Sequence, residues 1–333
     1  IKRIFSSLAP ALSALVNAIV RQKSEVDFSW LSGEWDETGK WAFSLRVLND
    51  LGYDLDAGRQ DKSVHPFSTS MGLYDVRITT RTSPQDLFQG LMATIHECGH
   101  ALYTQGHDPK DQRTPLLDGA SLGIHESQSR LWENIVGRSL SFWEHYTSVL
   151  REHFPGRLEK VTPYDIYVAL NQVTPSLIRV DADECTYNLH VILRFEIELD
   201  LIENRLAPRD VPEAWNAKMK RFLDVDVPDD AHGCLQDIHW AHGAFGYFPT
   251  YALGNLYAAQ FMEKILLDIP DLWEHIAAGS FAPLLCWLRE HVHRYNRRKL
   301  PSEILMAATG AELDHKPFLN YLDKKFSSLY NLR

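Results

Sequence analysis

The chain has 333 residues, 45% apolar and 23% charged, a length for one large or two ordinary domains and a composition that excludes disordered, collagen-like and rod-like coiled-coil architectures. Its 34 basic against 44 acidic side chains give a net charge of −10. That balance excludes a surface built to neutralise phosphates or to lie on anionic lipid, so neither nucleic acid nor membrane is an expected partner. Four cysteines, Cys98, Cys185, Cys234 and Cys286, lack C-x-x-C spacing and fit reduced thiols in a cytoplasmic compartment.

Lys2 and Arg3 ahead of the mostly apolar stretch Leu8 to Val20 have the order of a secretory leader. Phe5, Leu8, Leu12, Leu15, Val16 and Ile19 nevertheless recur at three- and four-residue spacings, with Ser7, Ser13 and Asn17 on other faces. This reads as an amphipathic helix packed on a core, interrupted by Pro10 and too short to cross a bilayer. A helix is predicted at about 34–52. Tyr74 to Arg81 alternates Val, Ile and Thr with charged residues as a half-buried strand does, and His65 to Ser70 and Ser121 to His125 could flank it.

Ser83-Pro84-x-Asp86 reads as an N-cap, a first-turn proline and an acid, opening a helix that runs to about Gln105 or Gly106. Thr162-Pro163-x-Asp165 repeats the pattern. Further helices are predicted at about 126–146, 184–205, 211–224, 249–267, 281–295 and 302–310, with Asp224 to Asp230 as a loop. No linker or internal repeat divides the chain, so the expected fold is mostly α: a single domain over 1–333 with a small β-sheet beside the 83–106 helix.

That helix carries His96-Glu97-Cys98-Gly99-His100. Two histidines four apart share a helical face and can present nitrogens to one tetrahedral zinc, while Glu97, about 100° round, borders the same opening. Chance matches to this H-E-x-x-H pattern are expected on the order of 0.05 times in such a chain. The alternative is a pair of satisfied histidines on a buried helix. Cys98 points to another face and reads as helix packing.

A catalytic zinc needs a third protein ligand and one open position. Glu126, 26 residues after His100, is predicted to open the next helix; Glu133, seven residues on and on nearly the same face, is its competitor. Glu126 is favoured because a residue near a helix start can sit at the mouth of an opening, whereas Glu133 would lie two turns deeper.

Six separated motifs extend the pattern: His65-Pro66-Phe67, Asp75-Val76-Arg77-Ile78-Thr79, His96-Glu97-Cys98-Gly99-His100, His125-Glu126-Ser127-Gln128, Ile178-Arg179-Val180-Asp181-Ala182-Asp183, and Gly233-Cys234-Leu235-Gln236-Asp237-Ile238-His239-Trp240. From about Trp30 onward the chain resembles the carboxypeptidase Taq family of thermostable metallocarboxypeptidases. The resemblance implies an almost all-helical metallopeptidase body split by a long active-site cleft. It also implies zinc, or cobalt, held by His96, His100 and Glu126; Glu97 as general base; and peptide substrates with a free C-terminal carboxylate.

Related helical peptidases suggest His239 and Tyr247 as oxyanion donors, with Tyr251 and His242 as rivals. Arg179 is the candidate for the terminal carboxylate, and the alternative is an ion pair with Asp181, Asp183 or Asp237. Asp75, Arg77 and Thr79 alternate on one strand face and either touch substrate or form a polar cluster. Asp237 is a candidate partner for a metal-binding histidine.

The family also implies a homodimer and, ahead of residue 1, further helices covering the cleft. Their expected absence leaves internal peptide cleavage, or a metal-binding scaffold of low activity, as competing functions.

Overall fold

The computed structural model describes residues 1–22 and 26–332. The helices are α1 (Lys2–Arg21), α2 (Glu37–Leu51), α3 (Gln89–Gln105), α4 (Leu122–Arg130), α5 (Leu140–His153), α6 (Pro163–Leu170), α7 (Tyr187–Ile202), α8 (Val211–Leu223), α9 (Pro249–Asp268), α10 (Leu272–Ala277), α11 (Ala282–His291), α12 (Pro301–Thr309) and α13 (Lys316–Tyr330); the strands are β1 (Gly58–Lys62), β2 (Ser68–Gly72) and β3 (Asp75–Thr80). They fall into two compact units whose segments alternate along the chain. The first comprises Ile1–Glu25, Asn171–Leu253 and Asp314–Arg333; the second comprises Val26–Leu170 and Gly254–Leu313.

In the first unit, α1 buries Phe5, Leu8, Ala9, Leu12, Val16 and Ile19 against α7, α8 and α13, as its periodicity requires. Its 20 residues correct one expectation: by length and composition this helix could cross a membrane. Its apolar face is instead taken up by neighbouring helices.

In the second unit, β3 is central, with β1 parallel to it (Gly58 opposite Val76) and β2 antiparallel (Ser70 opposite Val76). Val76 and Ile78 are fully buried, and β3 packs against α3. Helix α3 begins at Gln89, not near Ser83, because Asp86 Oδ1 accepts the N–H groups of Phe88 and Gln89 at 2.8 and 2.7 Å. Ser83 and Asp86 close a turn before it, and the Lys40 ammonium donates to both their carbonyls.

The segment Ser121 to His125 is not a strand. Ser121 Oγ accepts from Ile124 N at 3.1 Å and caps α4, which starts at Leu122, so Glu126 lies in the second turn and not at the helix start. The helix expected over 126–146 is also interrupted. A π-helical segment, Leu131–Gly137, follows α4, and α5 restarts with Ser139 Oγ accepting from Phe142 N.

Candidate active site

Helix α3 buries Ile95, Cys98, Ala101 and Leu102 completely, which turns His96 and His100 to the other side. Gly99 lets α4 approach: a Cβ there would lie 2.6 Å from Gln128 O and Ser129 Cα. This backbone-to-backbone contact delivers Glu126 to the histidines.

Glu126 Oε2 stands 3.4 Å from His100 Nε2 and 3.7 Å from His96 Nε2, and the three donor atoms lie within 4.8 Å of one another. A tetrahedral ion with ligands at 2.0–2.2 Å spaces donors about 3.3–3.6 Å apart, so the set fits one zinc-sized ion. The other oxygen, Oε1, accepts from Arg130 Nε at 2.7 Å, so Oε2, which also accepts from Ser129 Oγ at 3.2 Å, is the oxygen turned to the histidines.

Burial works against the charge on Glu126, but Arg130, then His96 and His100, hold its carboxyl well below the usual carboxylate range. It is therefore ionised, as a ligand must be.

Glu133, the competitor from the sequence, sits on the other side of the ring. Its Oε2 is 2.8 Å from His96 Nδ1, and its Oε1 accepts from Arg138 Nη2 at 3.1 Å. Burial opposes its charge too; the His96 hydrogen bond and Arg130 keep it ionised. His100 Nδ1 lies 3.1 Å from the His125 carbonyl and 2.6 Å from His125 Nδ1. A metal on Nε2 leaves Nδ1 to carry the proton, and both histidines have an acceptor waiting there.

These two partners come from α4 and the π-helical segment, and not from Asp237, whose carboxylate is taken by Arg179 and Arg194. That corrects the expectation for Asp237. His125 was visible only as part of a motif.

Glu97 is 7% exposed, and its carboxylate takes no hydrogen bond or ion pair among the described residues. A buried carboxylate left open beside a metal-ligand set is available for proton transfer.

In the first unit, Arg179 Nε and Nη2 donate to Asp237 Oδ1 at 3.1 and 2.7 Å and Nη1 to Tyr187 OH at 3.1 Å. This is the ion pair weighed in the sequence. Arg194 donates from Nε to the same residue's Oδ2 at 2.7 Å, so two guanidiniums share one carboxylate. His239 Nε2 meets Tyr251 OH at 3.0 Å, its ring lies 5.4 Å from that of Tyr247, and burial followed by Arg179 keeps it neutral by lowering its pKa. His242 is exposed.

Arg77, on the sheet of the second unit, is exposed and donates from Nε and Nη2 to the two oxygens of Asp75. Thr79 is buried and accepts from Phe67 N at 3.0 Å, closing the hairpin. These contacts are those of a polar cluster.

A mostly α fold in which an H-E-x-x-H helix and a following glutamate gather three donor atoms around one point defines a helical protein with a candidate metal centre. The family model for the carboxypeptidase Taq (M32) metallopeptidases matches residues 1–326, and the chain belongs to that family. Thermostable carboxypeptidase 1 of Thermus thermophilus is 46% identical over 327 residues, 98% of this chain and 64% of that protein. Carboxypeptidase 1 of Bacillus subtilis is 43% identical over 330 residues, 99% and 66%. The crystal structure of the M32 carboxypeptidase from Deinococcus radiodurans R1 matches with a TM-score of 0.97 at 45% identity, covering 99% of this chain and 66% of that one. The chain thus spans about two-thirds of the length of the curated relatives it matches.

Proposed function

We propose that this chain is a zinc carboxypeptidase that removes residues one at a time from peptides ending in a free carboxylate. The observation that carries the reading is the convergence of His96, His100 and Glu126 donor atoms beside the open carboxylate of Glu97. Zinc at those atoms would supply Lewis acidity, lowering the pKa of water at the open position toward about 7 and polarising the scissile carbonyl.

Glu97 takes the proton of the attacking water and returns it to the departing amine. Glu133 and the His125 carbonyl fix the ring orientation of His96 and His100, and Arg130 holds Glu126 to one-oxygen ligation. His239 and Tyr247 are assigned as donors to the developing oxyanion, with Tyr251 and His242 as substrate contacts. Arg179 is assigned to the terminal carboxylate; two guanidiniums on the single Asp237 carboxylate leave that cluster with positive charge to offer an anion. Cobalt suits the same donors. A homodimer and a cytoplasmic location accompany the family resemblance.

Exchanging Glu97 for Gln keeps the metal donors and removes the base. Zinc content stays near one per chain while kcat falls by about 10²–10⁴; a variant with full turnover contradicts the assignment. Replacing Arg179 with Ala raises KM about tenfold or more for free-carboxylate peptides and changes little for amidated ones. Equal losses on both place Arg179 in a purely structural role.

A further inference from the structure

Helix α7 turns Arg194 and Glu198, four residues apart and so on one face, toward an irregular segment that runs up to α9. Both are buried, Glu198 to 4% exposure. Arg194 holds the start of the segment, through Asp237 Oδ2 at 2.7 Å and Gln236 Oε1 at 2.8 Å. Glu198 acts further along: Oε1 accepts from the Trp240 indole N–H at 2.9 Å and Oε2 from the Gly246 N–H at 3.1 Å.

Between those two anchors the chain has no regular hydrogen-bond ladder and is largely exposed. It is turned by Gly243 and Gly246, at φ +72° and +81°, backbone that only glycine adopts without strain. The Trp240 ring stacks on Phe245, 6.2 Å between centroids and 14° between planes. His239 immediately precedes the first anchor, and Tyr247 immediately follows the second.

A buried carboxylate is costly unless paired, and replacing one by an apolar side chain is often neutral or stabilising. Glu198 has no ion pair among the described residues; two neutral N–H donors are what it holds. Burial pushes its carboxyl up, and those two hydrogen bonds pull it partly back. Such a group contributes little to stability for its desolvation cost, yet its two oxygens bridge the seven residues from Trp240 to Gly246.

We propose that Glu198 is a positioning residue: by clamping Trp240 and Gly246 it fixes the loop between them and sets the relative placement of His239 and Tyr247. Its effect on turnover rests on the donor roles given to that pair under the proposed function, whereas its hold on the loop does not.

The test uses the zinc-loaded full chain and two variants, Glu198→Gln and Glu198→Leu, compared by amide hydrogen exchange over residues 239–248 and by peptide kinetics. The Gln side chain still accepts from Trp240 through its amide oxygen but offers only N–H toward Gly246. Loop exchange therefore quickens about tenfold, kcat falls about tenfold, and KM stays within about twofold with zinc content unchanged. The Leu variant, which fills the same space, loses both anchors and falls further in kcat while remaining folded.

Loop exchange equal to wild type in both variants overturns the clamp. Faster exchange with unchanged kcat overturns the positioning role. A wild-type chain that binds zinc and cleaves no peptide defeats the proposed function separately, and the exchange data still decide the clamp.

Discussion

Glu133 faces Nδ1 of His96, and Glu126 faces Nε2 of the same ring. The distinction has a measurable consequence. A carboxylate on Nδ1 fixes the tautomer and raises the basicity of the nitrogen that binds metal. Glu133→Gln keeps an acceptor oxygen but loses the charge, so zinc affinity, read by competition with a chelator, falls about 10–100-fold while the fold is retained. Unchanged affinity would make Glu133 a structural residue alone. The sequence placed both glutamates on nearly the same helical face, but no rule of spacing states which ring nitrogen each reaches. Arg179 was limited in the same way: its partners Asp237 and Tyr187 depend on the fold, so carboxylate binding and ion pairing could both be written from the motif.

At the scale of elements, the contact between α3 and α4 is set by Gly99. In an exposed helix interior, Gly to Ala stabilises by about 1 kcal/mol. Here a Cβ meets backbone atoms of Gln128 and Ser129 at 2.6 Å, so the sign reverses. Gly99→Ala costs about 1–3 kcal/mol by overpacking and shifts Glu126 away from the histidines. Urea unfolding shows the loss and zinc competition shows weaker binding; a stabilised variant with normal zinc affinity would contradict this packing.

Elements with a clear apolar signal were legible: α1 and α8 by their periodicity, β3 by its alternation and α9 by its largely apolar run lie close to their predicted spans. The elements missed have physical reasons. In β1, Gly-Arg-Gln-Asp-Lys, only Gln60 is buried, so no apolar alternation marks a strand. The α10 helix is 6 residues long, too short for a 3.6-residue period to show. By contrast, α13, outside the predicted helices, buries Phe318, Leu322 and Phe326 at a four-residue spacing that the sequence carries in plain form. The start of α3 was misplaced because Asp86, and not Ser83, accepts the first helical N–H groups.

For the whole molecule, composition and charge narrowed the class to a folded protein, apolar periodicity made it mostly helical, and the motifs located the candidate metal centre; family membership rests on a match across residues 1–326. The partition into two units with alternating segments left no trace in the sequence, because neither linker composition nor repeats mark where the chain passes between them. What the chain does with its metal centre is a property of the whole molecule and is decided by its products. The zinc-loaded protein is incubated with an N-blocked peptide, its C-terminally amidated twin and a longer free-carboxylate peptide, and the products are weighed by mass spectrometry. Stepwise loss of single C-terminal residues from the two free-carboxylate peptides, with the amidated twin left intact, is the predicted result; internal fragments, or no products from protein that has bound its zinc, would contradict it.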